Sequence, residues 1–188
     1  MNKSGFTLAE VMIVLAVIGV IATLTIPTLM QNYKNRVMMT QLQKAYAELS
    51  QAGSIAISNS NADSFQESKP YKNNTFLRDY IKNTKDCGAS WEVECALASE
   101  YITSDGYTKS VYSVLDIGSI PPYCVIAKSG YSICLTLGNG LLDVNAHKGP
   151  NKIGQDAFKI SFKADGTVDE DYSVELSNIV NNDWSYDY

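Results

Sequence analysis

One acidic side chain lies within an otherwise apolar stretch near the start of the chain. Between Phe6 and Met30, the only ionisable side chain is that of Glu10. A carboxylate deep in lipid costs roughly 2.5–3.5 kcal/mol on membrane-insertion scales, so such a group generally has a partner or a function. The stretch itself contains no basic residue. We therefore expect the carboxylate of Glu10 to meet a positive charge from elsewhere.

Four cysteines are the second set of residues that could do chemistry. No CxxC pair occurs among Cys87, Cys95, Cys124 and Cys134, and His147 is the single histidine. A zinc site is therefore poorly supported. An even number of cysteines beside a membrane-insertion segment favours disulfides over reduced cytosolic thiols. The cysteines therefore predict that the C-terminal part of the chain lies outside the cytoplasm.

A predicted hairpin indicates which cysteines pair. With Lys128–Gly130 as a three-residue loop, Cys124 lies opposite Cys134 at a non-hydrogen-bonded position, where Cα atoms are about 4.5 Å apart. A disulfide can span that distance. Cys87 and Cys95 are then left to each other across a short loop. We expect the Cys124–Cys134 bond on the outer face of the sheet, while the inner face packs on a helix.

The sequence offers little support for catalysis or for nucleic-acid binding. A serine triad needs a histidine near a nucleophile, but His147 lies in a polar loop and the chain has no GxSxG motif. The carboxylates at Asp169–Asp171 have the pattern of a solvated face. A net charge of −5 repels nucleic-acid phosphates. We therefore predict that the protein is not an enzyme. A membrane-tethered extracytoplasmic enzyme is an alternative that ranks behind the two non-enzymatic functions described below.

A long N-terminal helix has to position Glu10. As a helix, residues 6–29 would be roughly 36 Å long, enough to cross a hydrocarbon core of ~30 Å. Apolar residues at spacings of three and four extend this helix to about Ser58, so residues 30–58 form its amphipathic part. Pro27 is expected to kink the helix. The apolar face consists of Met38, Leu42, Ala45, Leu49, Ala52 and Ala56.

The sequence pattern of residues 59–188 predicts a globular head. The predicted fold of the chain is therefore α+β, with a long helix packed against an antiparallel β-sheet. Residues 59–110 are irregular with a short helix at Thr75–Asn83, and 111–170 carry strand signals. Alternating apolar residues and glycine-containing turns predict an antiparallel meander. The tail, 171–188, is expected to be loosely held at its end. The strands are expected at Tyr123–Ala127, Tyr131–Leu137, Leu141–Val144 and Ala157–Lys163.

The N-terminal residues resemble a known processing signal. Lys3-Ser4-Gly5 followed by Phe6-Thr7-Leu8-Ala9-Glu10 is similar to the prepilin leader and cleavage site of type IV pilins and type II secretion pseudopilins. The resemblance implies a leader at residues 1–5, cleavage by prepilin peptidase between Gly5 and Phe6, and N-methylation of Phe6. Gly19 and Pro27, a pair of helix-bending residues within the span, are also typical of that family.

The same resemblance supplies a partner for Glu10. Cleavage would expose an amine at Phe6, and in a bundle of staggered helices one subunit's Glu10 could meet a neighbour's N-terminal ammonium. Each charge is unfavourable alone in lipid, whereas the pair is compensated and sets the axial register. The implied function is a structural filament subunit. It would be held in the inner membrane by a single span, then drawn by an assembly platform into an extracytoplasmic fibre with like subunits and other pilins.

One loop between predicted strands is a candidate calcium site. Asp143, Asn145 and Asp156 lie in a stretch that resembles the Asp-x-Asn, Gly-Pro-Asn and Gly-x-Asp pattern of many prepilin-like proteins. Some pseudopilin heads bind Ca²⁺, which prefers oxygen ligands from such loops. The alternative is a turn held by Asx hydrogen bonds, in which Gly149 and Gly154 supply unusual backbone angles.

The position of the last cysteine bears on the type of subunit. In type IV pilins the C-terminal disulfide loop closes near the end of the chain, whereas residues 135–188 follow Cys134 here. This departure favours a minor pilin or a pseudopilin over a major pilin. The alternative function is a tip-located minor pilin that acts as a binding module in adhesion, DNA uptake or recognition of a secretion substrate.

Overall fold

The structure, a computed structural model, describes residue 5 and residues 7–115 and 118–185. The chain divides into two compact units, an N-terminal unit of residues 1–37 and a head unit of residues 38–188. Helix α1 (Leu8–Ser60) begins in the first unit and ends in the second. Met38, the first residue of the head unit, is also the first residue of α1 in the hydrophobic core.

In the N-terminal unit, α1 satisfies its own polar side chains. The hydroxyls of Thr23 and Thr25 donate to the carbonyl oxygens of Val20 and Ile21 at 2.8 and 3.0 Å. In hydrocarbon such internal bonds are required, because no water is present to accept or donate. The helix continues through Pro27. A kink at that residue stays a prediction.

In the head unit, α1 buries the apolar face that the sequence predicts. The helix ends at Ser60, two residues beyond the predicted end, where Asn61 adopts a φ of +47°. The N–H groups of Asn61 and Ala62 donate to the carbonyl oxygens of Ser58 and Ile57, a Schellman motif that terminates the helix. The buried residues of this face are Met38, Met39, Leu42, Ala45, Leu49, Ala52 and Ala56.

An antiparallel five-stranded sheet packs on this part of α1. Its strand order is β1-β4-β5-β6-β7, and β2 and β3 form a separate two-stranded sheet. The strands are β1 (Asn83–Ala89), β2 (Glu100–Ile102), β3 (Thr108–Ser110), β4 (Tyr123–Ala127), β5 (Ser132–Thr136), β6 (Asn139–Asp143) and β7 (Ala157–Ile160). The shorter helices are α2 (Lys69–Lys72), α3 (Phe76–Tyr80), α4 (Val111–Leu115) and α5 (Val174–Asn181). The predicted α+β fold is confirmed.

The β4–β5 hairpin has the predicted register. Cys124 lies opposite Cys134, and Val125 lies opposite Ile133. Gly130 adopts a φ of +103° at the end of the loop, a conformation that L side chains rarely adopt. Placing this glycine at the loop end therefore aligns the two cysteines.

Several element predictions are wrong. Strand signals were expected from Val111 onwards, but residues 111–115 form α4, which buries Val111 and Val114 three residues apart. Conversely, β1 lies in the region expected to be irregular. It is an edge strand with mostly exposed side chains, so it lacks the alternation that predicts a strand. The helix predicted at Thr75–Asn83 is limited to α3.

Within the tail, residues 174–181 form α5. The hydroxyl of Ser173 accepts a hydrogen bond from the N–H of Leu176 at 3.2 Å and so caps the helix. Leu176 and Ile179 are buried in the main core. Trp184 follows and contacts Tyr46 edge-to-face, with 5.3 Å between ring centroids.

Both faces of the sheet are covered, which corrects the expectation for its outer face. The inner face packs on α1 through a main core that includes Val125, Ile133 and Leu142. The outer face carries a second core formed with residues 93–114 and 153–157. The Cys124–Cys134 bond lies in this second core rather than on an open face.

Candidate functional site

Thr7 and Glu10 cap the N-terminus of α1. The backbone N–H and the hydroxyl of Thr7 donate to Glu10 Oε2 at 2.8 and 2.9 Å, and the N–H of Glu10 donates to Thr7 Oγ1 at 3.3 Å. This reciprocal pattern is a capping box, which satisfies N–H groups that the first turn leaves without partners. This role of Thr7 was not predicted from the sequence. The signal was present, because threonine precedes glutamate by three residues at the start of an apolar run.

The predicted cleavage site lies just before this cap. Gly5 is exposed, is outside the helix and has no neighbouring atom within 4 Å of a Cβ built on it. Phe6, where cleavage and methylation are predicted, lies outside the described residues. Both modifications therefore stay predictions.

The apolar surface of the N-terminal part of α1 is open on all sides. Within the described residues, α1 is the one helix long and apolar enough to cross a membrane, with a mean hydropathy of 2.5 in its most apolar window. None of the residues in that window is buried. A Cβ built at Gly19 meets no atom within 4 Å. A continuous apolar surface of this size fits lipid or other helices rather than water.

A second site is formed by the polar loop, residues 144–156, and by the two aspartates at its ends. Asp143 and Asp156 have no exposed surface. Asp143 Oδ2 accepts a hydrogen bond from the Tyr101 hydroxyl at 2.7 Å, and Oδ1 accepts one from the N–H of Asn145 at 3.1 Å. Tyr101 belongs to β2 in the outer layer, so its contact with Asp143 joins that layer to the sheet.

Asp156 closes the polar loop from the other end. Its Oδ1 accepts from the N–H of Lys152 at 2.6 Å. Its Oδ2 accepts from the N–H of Asn151 at 2.8 Å and from Nδ2 of Asn145 at 3.3 Å. The structure thus brings Asp143, Asn145 and Asp156 together, as the sequence predicts. It adds Tyr101 and Asn151, and Tyr101 is far away in the sequence, so no local pattern indicates it.

Burial controls the protonation of this cluster. Burial raises the pKa of Asp143 to about 7, with a further increase from the nearby Asp156 charge, while hydrogen bonds from Tyr101 and Asn145 oppose it. Burial also raises the pKa of Asp156, against the N–H bonds from Lys152 and Asn151. The pKa of Tyr101 is raised by its own burial and then by the charge of Asp143.

The polar loop contains oxygen atoms of the type that hard cations prefer. The side-chain oxygens of Asn145 and Asn151 are buried without a hydrogen-bond partner, and they lie in the loop whose ends are the two carboxylates. Calcium takes oxygen ligands of this kind, whereas zinc prefers nitrogen and sulfur. No group of three or more His, Cys, Asp or Glu able to hold a metal occurs in the part of the chain that the structure describes. The carboxylates also hold the loop without a metal, since the chain supplies donors to both.

The cysteines form two disulfides. Cys87 is bonded to Cys95 with Cα atoms 5.9 Å apart, and Cys124 to Cys134 with Cα atoms 4.1 Å apart. These are the pairs that the hairpin register predicts. Each bond joins two cysteines that have no other cysteine between them in the sequence.

A comparison with protein families identifies the N-terminal segment. The family profile described as the prokaryotic N-terminal methylation motif matches residues 1–26. No curated protein and no solved structure matches the chain. The motif fits a membrane-anchored precursor and indicates a structural subunit rather than an enzyme. The chain therefore carries the signature of the type IV pilin and pseudopilin precursors that prepilin peptidase processes.

Proposed function

We propose that the chain is a structural subunit of a type IV pilus or of a type II secretion pseudopilus-like filament. The observation that carries this proposal is the open apolar surface of α1 between residues 8 and 30, interrupted by one ionisable side chain, that of Glu10. Before assembly the surface contacts lipid, with the head on the extracytoplasmic side of the inner membrane. In the filament the same surface contacts the helices of neighbouring subunits.

Processing converts the precursor into a subunit that can assemble. Prepilin peptidase cuts between Gly5 and Phe6, and Phe6 becomes the methylated N-terminus. The new ammonium group lies four residues before Glu10 in its own chain and meets the Glu10 carboxylate of a neighbour. An assembly platform in the inner membrane then moves the paired subunits into the fibre.

The test combines mass spectrometry with fibre labelling. We expect mature chains to begin at methylated Phe6, and we expect immunogold against the head to decorate sheared fibres. Gly5→Ala should leave the leader attached and abolish labelling, because the peptidase cuts after glycine. Gly118→Ala, in an exposed position with no atom within 4 Å of the added Cβ, is the matched control. A mature N-terminus beyond Leu29 would refute the assignment.

We propose further that the subunit is a minor pilin or a pseudopilin. Support comes from residues 135–188, which follow the last cysteine and include the ordered helix α5. Quantitative mass spectrometry of sheared fibres measures its copy number relative to the most abundant subunit. A low copy number with labelling at fibre tips supports the tip-located binding module. Labelling along the whole fibre at high copy number supports the major structural role instead.

We also propose that the polar loop binds Ca²⁺. Support comes from the two buried amide oxygens without partners, at Asn145 and Asn151, beside Asp143 and Asp156. These four side chains would hold the ion, which would neutralise the carboxylates and tie the loop to the sheet. The expected result is a melting temperature that rises with calcium and falls with a chelator.

The calcium test has a matched pair of variants. Asn151→Gly removes the unpartnered oxygen and tolerates the φ of +53° at that position, so it should abolish the calcium response. Asn61→Gly, at a φ of +47° away from the loop, should retain it. A wild-type melting temperature that ignores both calcium and chelator would leave only the Asx-turn interpretation.

A further inference from the structure

The two disulfides differ in their access to solvent. Cys124 and Cys134 are 1% and 0% exposed, beneath the outer layer of the sheet. Cys87 and Cys95 are each partly exposed, and Cys87 only flanks the second core. A thiolate in solution can therefore reach one bond in the native state, whereas the other requires the layers to separate.

Cys87 lies at the edge of the main sheet. It lies on β1, which is at the end of the five-stranded sheet and pairs with β4. The pairing shifts register between Asp86 and Gly88, and a Cβ built on Gly88 would meet no atom within 4 Å. The chain next to Cys87 therefore has open space on the side to which a side chain of residue 88 would point.

A lysine lies next to the other half of this bond. Lys85 Nζ is 3.5 Å from the carbonyl oxygen of Cys95. A nearby ammonium stabilises a thiolate, and a better-stabilised thiolate leaves more easily in disulfide exchange. We therefore take Cys95, whose backbone this ammonium contacts, as the leaving group when Cys87 is attacked.

We propose that Cys87–Cys95 is a thiol-exchange site for the thiolate of a thiol–disulfide oxidoreductase or of a small thiol, and that Cys124–Cys134 is a permanent structural bond. The incoming thiolate attacks Sγ of Cys87, the S–S bond breaks, and Cys95 leaves as a thiolate. A second thiolate attacks the mixed disulfide and releases Cys87. Two external thiols are thereby oxidised to one disulfide, and the protein gains two thiols after protonation by solvent.

Opening this bond acts on one surface loop. Without the bond, Cys95 is no longer tied to the edge strand, and residues 91–94, which include the half-exposed Trp91, lose that restraint. Gly88 and Ala89 remain paired with β4. The core remains closed, because Val93 is fully buried and the Cys124–Cys134 bond is intact. The exchange would thus change the surface that the loop presents without unfolding the head.

The test uses the full-length processed chain in detergent micelles. Reduced glutathione is added, free thiols are blocked at intervals with N-ethylmaleimide, and the labelled cysteines are mapped by mass spectrometry. We expect Cys87 and Cys95 to be labelled at least roughly tenfold faster than Cys124 and Cys134, which should react only in denaturant. Equal rates for the four cysteines, or no labelling under native conditions, would overturn the proposal.

Two further arms separate the source of the thiol and the role of the lysine. A dithiol oxidoreductase that lacks its resolving cysteine should be trapped on Cys87, and labelling by glutathione alone would assign the site to small thiols. Lys85→Gln should slow the exchange a few-fold at low salt, and Lys82→Gln, on the same edge, should not. An unchanged rate in Lys85→Gln would overturn the role assigned to Lys85.

Discussion

Glu10 has hydrogen-bonding partners in its own chain and, in the proposed filament, a charge partner in another. The capping box occupies one carboxylate oxygen with Thr7, which leaves the second oxygen available. Helix capping needs only an acceptor, whereas pairing with an ammonium in lipid needs the negative charge. A substitution that keeps the acceptor and removes the charge can therefore separate the two roles.

We predict that Glu10→Gln inserts into the membrane but enters filaments poorly. Glutamine retains the capping acceptor, so the helix should still begin at Leu8, and the loss of charge should favour insertion. Glu10→Ala, which loses both, should show the same assembly defect. Sheared-fibre yield at equal membrane levels is the measurement. Wild-type yield from Glu10→Gln alone would mean that the cap, rather than the charge, serves assembly.

Asp143 makes head stability depend on pH near neutrality. Its pKa is about 7 in the folded state and ~4 in the unfolded chain, so between these values the folded state binds more protons. The contribution of Asp143 to the free energy of unfolding is therefore largest below about pH 4 and decreases as the pH rises to about 7. In chelator, we expect the free energy of unfolding to decrease by on the order of 1–3 kcal/mol between pH 5 and 7.5.

The control for this prediction is Asp143→Asn, which should flatten the slope because it removes the titrating group. Asp156, whose pKa burial also raises, contributes a slope of the same sign, whereas carboxylates with lowered pKa values act at lower pH. The side chains of Thr167 and Lys163 lower the pKa values of Asp165 and Glu170, so the stabilisation from those two groups is lost only at lower pH. A slope of unchanged size in Asp143→Asn would assign the effect to another group, of which Asp156 is the first to test.

At the scale of elements, α1 meets the turn after β7 through two glycines. A Cβ built on Gly53 would lie 1.9 Å from the carbonyl oxygen of Gly166, and Gly166 itself has a φ of +82°. The N–H of Val168 donates to the Ser50 hydroxyl at 3.0 Å beside this contact. Because the obstructing atoms belong to backbone, the helix and the turn cannot both keep their places if a side chain is added.

We predict that Gly53→Ala destabilises the head by about 2–3 kcal/mol, although alanine normally favours a helix over glycine. The overlap with Gly166 should outweigh the gain in helix propensity. Thermal unfolding of the full-length protein is the measurement, and Gly118→Ala, with no atom within 4 Å of its added Cβ, is the control. An unchanged or higher melting temperature for Gly53→Ala would contradict the close contact.

At the scale of the whole molecule, the two units have surfaces that suit different environments. The head unit has its own core on α1 from Met38 onwards, together with both disulfides. The N-terminal unit has an open apolar surface instead. The head should therefore not need the N-terminal unit in order to fold.

We predict that residues 38–188, expressed in an oxidising compartment, fold as a water-soluble domain. The melting temperature should lie within a few degrees of that of the full-length chain, because no core residue is removed. Near-ultraviolet circular dichroism and non-reducing peptide mapping check packing and the two disulfides. Aggregation, or recovery of a Cys87–Cys124 peptide, would contradict independent folding.

Features that depend on residues close in sequence were predictable from sequence. The membrane span, the buried face of α1 and the β4–β5 register all follow from periodicity or from one turn. The register in turn placed Cys124 opposite Cys134. The cap formed by Thr7 and Glu10 has an equally local pattern and could have been found in the same way.

Features that depend on contacts between distant segments were decided by the tertiary structure alone. β1 is a strand because β4 supplies its hydrogen bonds, although its own sequence is polar and shows no alternation. Tyr101 reaches Asp143 only because the outer layer folds over the sheet, and that same layer buries one disulfide and leaves the other accessible. Burial of this kind is a property of which segments meet, and no pattern within a single segment records it.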